Sequence, residues 1–79
     1  MIEAILYSTD GCHLCQEAQQ LLAPLVDNGM QLRVVDIMDN DDDLQRFRIR
    51  IPVLALNHSI ELDWPFDIQR VQHSIESIS

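Results

Sequence analysis

Two cysteines stand three positions apart in the run Gly11-Cys12-His13-Leu14-Cys15, directly after an apolar segment and at the head of a segment with helical spacing. One helical turn brings two such sulfurs close together, so the spacing suits reversible formation of a disulfide within one chain. A helix N-terminus also presents partial positive charge and unpaired N–H groups, and both favour thiolate over thiol at the first cysteine. Cys12 is therefore the expected nucleophile and Cys15 the resolving thiol. Asp10 opposes ionisation of Cys12 by like charge, and His13 assists only when protonated.

Metal chemistry fits these residues less well. Two thiolates and an imidazole are good zinc ligands, but no second C-x-x-C exists, and His58 and His73 fall in unrelated segments. The acidic run Asp39, Asn40, Asp41, Asp42 and Asp43 lacks the central glycine and closing glutamate of a calcium loop, and reads as the start of a helix. No metal ligand is assigned.

The elements that must position the thiols follow from the apolar pattern. Ile2 to Tyr7 leaves only Glu3 polar, which fits a central strand covered on both faces. Ser8 to Gly11 then reads as a turn. Ala18, Leu21, Leu22 and Leu25 recur at helical spacing up to the Asn28-Gly29 break, with Cys15 on their stripe and Pro24 expected to kink or end the helix early. Leu32, Val34, Val35 and Ile37 mark a second strand, and the strand-helix-strand order predicts a parallel pair. A short helix carrying Leu44 and Phe47 follows. Ile51-Pro52-Val53-Leu54-Ala55-Leu56 gives a third strand, Asn57-His58-Ser59 a hairpin turn, and Ile60 to Asp63 an alternating antiparallel edge strand. The last helix has Asp67 as N-cap, Phe66 and Val71 spaced for a hydrophobic staple, and Ile68, Val71, Ile75 and Ile78 on one face.

Length and charge narrow the partners. Seventy-nine residues make one domain, 1–79, which buries only about 60% of the surface its unfolded chain exposes. Thirteen acidic residues against five arginines and no lysine give a net charge of −8, which repels nucleic acid at long range. Two cysteines cannot build a secreted disulfide framework, and the first fifteen residues lack the basic start and apolar stretch of a signal peptide, so a reducing, cytoplasmic setting is expected. No apolar run approaches the roughly 20 residues of a membrane span.

The order of elements resembles the thioredoxin fold, and more narrowly its glutaredoxin branch. The phrases Leu6-Tyr7-Ser8, Gly11-Cys12-His13-Leu14-Cys15, Val35-Asp36-Ile37, Ile51-Pro52-Val53 and Trp64-x-Phe66-Asp67 look like a small glutaredoxin-like family of bacterial proteins. The resemblance implies an α/β, βαβαββα three-layer sandwich around a four-stranded mixed sheet. It also implies that Ile51-Pro52 is the cis-proline pair facing the active site, with the backbone of the preceding residue pairing with a bound thiol. Ile51, Pro52, His13 and Trp64 are the expected substrate-contacting residues, Trp64 also serving to pack the start of the last helix. Typical glutaredoxins carry a basic residue just before the C-x-x-C and a Gly-Gly-Asp-like segment near the last helix, both of which hold glutathione carboxylates. This chain has Ser8-Thr9-Asp10 and Trp64-Pro65-Phe66-Asp67 there, leaving Arg48 or Arg50 as the candidates to meet a carboxylate.

The function expected from these features is thiol–disulfide exchange on an unidentified protein or low-molecular-weight disulfide. No bound cofactor is expected, glutathione is a possible co-substrate, and the protein should be a monomer with neither nucleic-acid nor membrane partners. The rival readings are a redox-inactive binding module on the same fold and a metal or iron–sulfur carrier.

Overall fold

The apolar run after Ile2 becomes the inner strand of the sheet. A computed structural model of the protein describes residues 2–57 and 59–78. Strand β1 (Glu3–Ser8) lies between a parallel β2 (Gln31–Asp36) and an antiparallel β3 (Val53–Leu56), and β4 (Ile60–Asp63) completes the order β2-β1-β3-β4. The mixed four-stranded sheet and its central first strand match the expectation. Ser8 belongs to β1 rather than to the following turn, because it pairs with Asp36 at the end of the parallel ladder. Ile37 leaves β2 for a short 3-10 turn, Ile37–Asp39, where its side chain is buried.

Helix α1 (His13–Asp27) presents Cys15, Ala18, Leu22 and Leu25 to the interior. It closes as the Asn28-Gly29 break predicts. Met30 N–H donates to Leu25 O at 3.0 Å and Gly29 N–H to Val26 O at 3.0 Å, with Gly29 at φ 111 and both Leu25 and Met30 buried. The early end expected at Pro24 does not occur. Pro24 sits in the last turn with its ring exposed, so the one hydrogen bond it removes is offset by burial of Leu22 and Leu25 and by the closing bonds at Gly29 and Met30.

Two cores occupy opposite faces of the sheet. Ala4, Leu6, Leu54, Leu56 and Leu62 pack with Ala18, Leu22 and Leu25 of α1 and with Val71 of α3 (Ile68–Ile78), whose Ile68, Ile75 and Ile78 join from the edge. The other face carries a smaller core of Ile37, Val53 and Phe47, the last from α2 (Asp41–Phe47), with Tyr7, Leu44 and Ile51 around it. The acidic run opens α2 as its charge suggests. Asn40 caps it, accepting from the N–H groups of Asp42 and Asp43 at 2.9 and 3.2 Å.

The cap assigned to the last helix is formed: Asp67 Oδ1 accepts from Arg70 N–H at 2.7 Å, and Phe66 and Val71 are buried in the larger core on either side of it. Asp67→Ala should lower stability by about 1 kcal/mol, read as a lower urea midpoint at unchanged slope. An unshifted midpoint would mean the cap contributes nothing. At the β3–β4 turn, Asn57 N–H donates to Glu3 O at 2.8 Å and Asn57 Oδ1 accepts from Glu3 N–H at 2.9 Å, tying the hairpin to the start of β1. His58, expected in that turn, lies outside the described residues. The Ile51–Pro52 and Trp64–Pro65 peptides are both cis. No helix among the described residues is long and apolar enough to cross a membrane.

Candidate active site

Strands β1, β2 and β4 finish, and β3 begins, at one end of the sheet. That end therefore collects the loops that bear the sequence-predicted residues. Cys12 is the N-cap of α1, in extended conformation at φ −84 and ψ 103, and Cys15 lies one turn inside the helix. The two form a disulfide with Cα atoms 5.2 Å apart. Cys15 N–H donates to Cys12 Sγ at 3.2 Å, so an otherwise unpaired N–H of the first turn points at the outer sulfur. Their surroundings differ. Cys12 is part-exposed, whereas Cys15 is 3% exposed on the apolar stripe of α1.

Pro52 is buried just ahead of Val53, which pairs with both Tyr7 of β1 and Asp63 of β4, and its carbonyl accepts from Trp64 N–H at 3.2 Å. The Ile51-Pro52 and Trp64 segments are thus bound to each other at this end. Ile51 packs against the smaller core, its N–H donates to Phe47 O at 3.0 Å, and its carbonyl has no main-chain partner among the described residues. Trp64 is half-buried against the larger core, edge-on to Phe66 with ring centroids 5.1 Å apart. His13 is exposed at the first position of α1.

A cleft of about 260 Å³ opens beside the disulfide. The parallel register puts Ser8 abreast of Asp36 and Leu6 abreast of Val34, so these side chains share the face that α1 covers. Helical spacing puts Cys12, Cys15, Gln16 and Gln19 along its wall, and Thr9, Asp10 and Gly11 form its rim. None of Ser8, Gln16, Gln19 or Asp36 was assigned to a site from sequence. The signal was available in the one-to-one match of Leu6-Tyr7-Ser8 with Val34-Val35-Asp36, had the register been known.

Residues 3–76 match the family described as Glutaredoxin-like domain (DUF836). The chain belongs to this glutaredoxin-like family. It is similar to the XcR50 protein of X. campestris, at 34% identity, TM-score 0.81 and coverage of 94% of this chain and 96% of that one. Protein Ne2328 of Nitrosomonas europaea shares 28% identity at TM-score 0.78, over 92% and 89% of the two chains. Trichomonas vaginalis thioredoxin, at 17% identity, TM-score 0.64 and coverage of 99% and 79%, shares the fold. No curated protein matches the sequence.

In this glutaredoxin-like domain two of the arginines ahead of the Ile51-Pro52 segment, Arg46 and Arg50, have internal partners. Arg50 contacts Asp63 Oδ1 at 2.7 Å and Glu61 Oε1 at 3.3 Å, and Arg46 contacts Glu61 Oε2 at 2.8 Å. Both guanidinium groups also lie over the Phe47 ring, that of Arg46 4.6 Å and that of Arg50 5.2 Å from its centroid. The hydrogen bonds that Arg50 donates to the Asp63 carboxylate raise its pKa above the ordinary value. A cation whose folded pKa is raised contributes its stability at every pH below the unfolded value, so this tie is constant across the physiological range. Of the two arginines considered for a ligand carboxylate, Arg50 is therefore engaged, and Arg48 is exposed with no ion pair among the described residues. On the same face, burial first and then the Asp43 charge raise the Tyr7 phenol pKa. Among the described residues, no three His, Cys, Asp or Glu side chains come together to hold a metal ion.

Proposed function

We propose that the protein is a thiol–disulfide oxidoreductase that works through the Cys12–Cys15 couple. The observation that carries this reading is the asymmetry of the pair, with an open sulfur at the helix N-cap and a buried one bonded to it one turn on. In the reduced chain the Cys12 thiolate attacks one sulfur of a substrate disulfide, forming a mixed disulfide and expelling the other substrate sulfur as thiolate. Cys15 thiolate then attacks Cys12 Sγ, breaking the mixed disulfide and releasing the second substrate thiolate. Two electrons pass from the dithiol to the substrate, and the two cysteine protons pass through solvent to the two product thiols.

The substrate in this reading is a disulfide-containing protein or a low-molecular-weight disulfide approaching the open side of Cys12. His13, Ile51, Pro52 and Trp64 flank that approach, and the Ile51 carbonyl supplies a main-chain acceptor. Glutathione enters as a co-substrate of the same exchange and not as a resident cofactor. The protein acts as a monomer in a reducing, cytoplasmic setting.

Equilibration in glutathione buffers of stepped potential, followed by alkylation and intact-mass counting of free thiols, tests the proposal. One cooperative two-thiol transition is expected, at about −200 to −270 mV. Thiols that titrate separately, or that never pair, would overturn it and leave a fold that binds partners without exchange.

A further inference from the structure

We infer that the exposed apolar side chains gathered around Cys12 form a docking collar for an extended protein segment with large apolar residues beside its half-cystine, and that such disulfides are preferred over glutathione disulfide. This deepens the oxidoreductase reading and rests on it. Among the described residues the large apolar side chains left exposed are Leu14, Val26, Val34, Met38 and Ile49. Single exposed apolar residues are ordinary on a protein surface, so their placement is what decides. All but Val26 stand at the end of the sheet that carries the disulfide.

Leu14 lies between the two cysteines in the first turn of α1, 45% exposed. Val34 lines the cleft beside Cys12. Met38, 63% exposed, stands just past the end of β2, where Asp36 of that same cleft accepts its N–H at 2.9 Å. Ile49, 90% exposed, occupies the turn closed by Arg50 N–H on Phe47 O at 2.8 Å, and that turn leads directly into Ile51 and Pro52. Val26 is in the last turn of α1, roughly 20 Å along the helix from Cys12. A chain of net charge −8 has polar residues in plenty for its surface, and an isoleucine left almost wholly in water does nothing for the fold. Contact with a partner accounts for its presence.

The occupant follows from the surroundings. Whatever exchanges with Cys12 must lie against the side chains around that sulfur, so the collar is continuous with the exchange site. The Ile51 carbonyl, without a main-chain partner among the described residues, offers an extended segment one backbone bond, and the side chains flanking its half-cystine then meet the collar. Met38 gives that contact an adaptable surface. Glutathione disulfide fits less well: it is a net anion without a large apolar side chain, and it approaches a protein of charge −8 whose Arg46 and Arg50 are already engaged by Glu61 and Asp63. The chemistry is that of the couple, the segment's disulfide being reduced to two thiols as the Cys12–Cys15 dithiol is oxidised.

The probes are the symmetrical disulfides of two blocked, uncharged peptides, acetyl-Ser-Leu-Cys-Leu-Ser-amide and acetyl-Ser-Gly-Cys-Gly-Ser-amide, together with glutathione disulfide. Each rate with the reduced protein is divided by the rate of 2-mercaptoethanol with the same disulfide, which removes intrinsic reactivity. The leucine peptide should exceed the glycine peptide by about tenfold, the effect of partly burying one leucine side chain, and glutathione disulfide should be slowest. The leucine-to-glycine ratio should hold in about 1 M salt, which screens charge and leaves apolar burial in place. It should fall to within about twofold in the variant carrying Met38→Ser and Ile49→Ser, and stay at about tenfold in Val26→Ser. Met38 and Ile49 are exposed and belong to neither core, which keeps the double variant folded.

Equal normalised rates for the two peptides, a ratio lost in salt or in Val26→Ser, or a ratio kept by the double variant would overturn the collar, and so would glutathione disulfide as the fastest substrate. If no disulfide is reduced, the oxidoreductase reading fails by itself and the collar is decided by binding. The disulfide-bonded protein is then titrated with acetyl-Ser-Leu-Ser-Leu-Ser-amide, which cannot exchange with it, and amide NMR shifts are followed. Shifts at Leu14, Met38 and Ile49 that the glycine analogue does not produce support the collar, and their absence rejects it.

Discussion

Cys12→Ser should reduce turnover of a model disulfide to the uncatalysed rate, a loss of several orders of magnitude, whereas Cys15→Ser should complete the first step and stop. The reason lies in the two environments. Cys12 is the sulfur a substrate can reach, and the Cys15 N–H aimed at it from 3.2 Å, together with the start of α1, stabilises negative charge there. A serine hydroxyl at this position stays protonated and cannot replace the thiolate. Cys15 is buried and meets an incoming substrate only through Cys12. The Cys15→Ser protein should therefore accumulate as a mixed disulfide, visible by intact mass as addition of half the substrate and reversed by dithiothreitol. Equal residual activity in the two variants would reject the assigned roles.

Phe47→Ala should cost about 3–5 kcal/mol of stability, the range for truncating a buried aromatic, and so a large part of the 5–15 kcal/mol typical of a domain. Phe47 is fully buried, stacks on Tyr7 with centroids 4.3 Å apart, and forms the smaller core with Ile37 and Val53 as its other buried members among the described residues. Few neighbours are available to fill the space that the ring leaves. Its carbonyl also accepts from the N–H groups of Arg50 and Ile51 at 2.8 and 3.0 Å, so the segment before Pro52 hangs from this residue. Chemical denaturation measures the loss, and Phe47→Leu, which keeps most of the volume, should lose less. A loss below about 1 kcal/mol for the alanine variant would mean that the surrounding side chains collapse into the site.

Local signals in the sequence were sufficient wherever one segment decides its own structure. The Cys12 cap, the Asn28-Gly29 ending of α1, the acidic first turn of α2 and the Asp67 cap each involve groups within a few residues of one another. Features set by distant partners were not legible. The helix continues through Pro24 because the flanking leucines are held by the sheet, which the local pattern does not contain. Arg50 reads as a free cation until β4 brings Glu61 and Asp63 beside it, eleven and thirteen positions along the chain. Ser8 and Asp36 are 28 positions apart in sequence and become neighbours only through the parallel register. The dithiol could thus be found by reading along the chain, while the charge that surrounds it depends on how the strands align.

The strand order also constrains how the domain is made. β1 leads the chain yet lies inside the sheet, and its two neighbours arrive first at residues 31–36 and then at residues 53–56. A ribosome-bound nascent chain can complete the βαβ half while one edge of β1 stays bare, with its main-chain groups waiting for a partner about fifty positions later. Closing that loop is an entropic cost met before the contacts form, which makes assembly of this sheet slower than that of a helical protein of equal size. During synthesis the dithiol is therefore delivered early, on a helix whose supporting sheet is finished only after β3 has emerged.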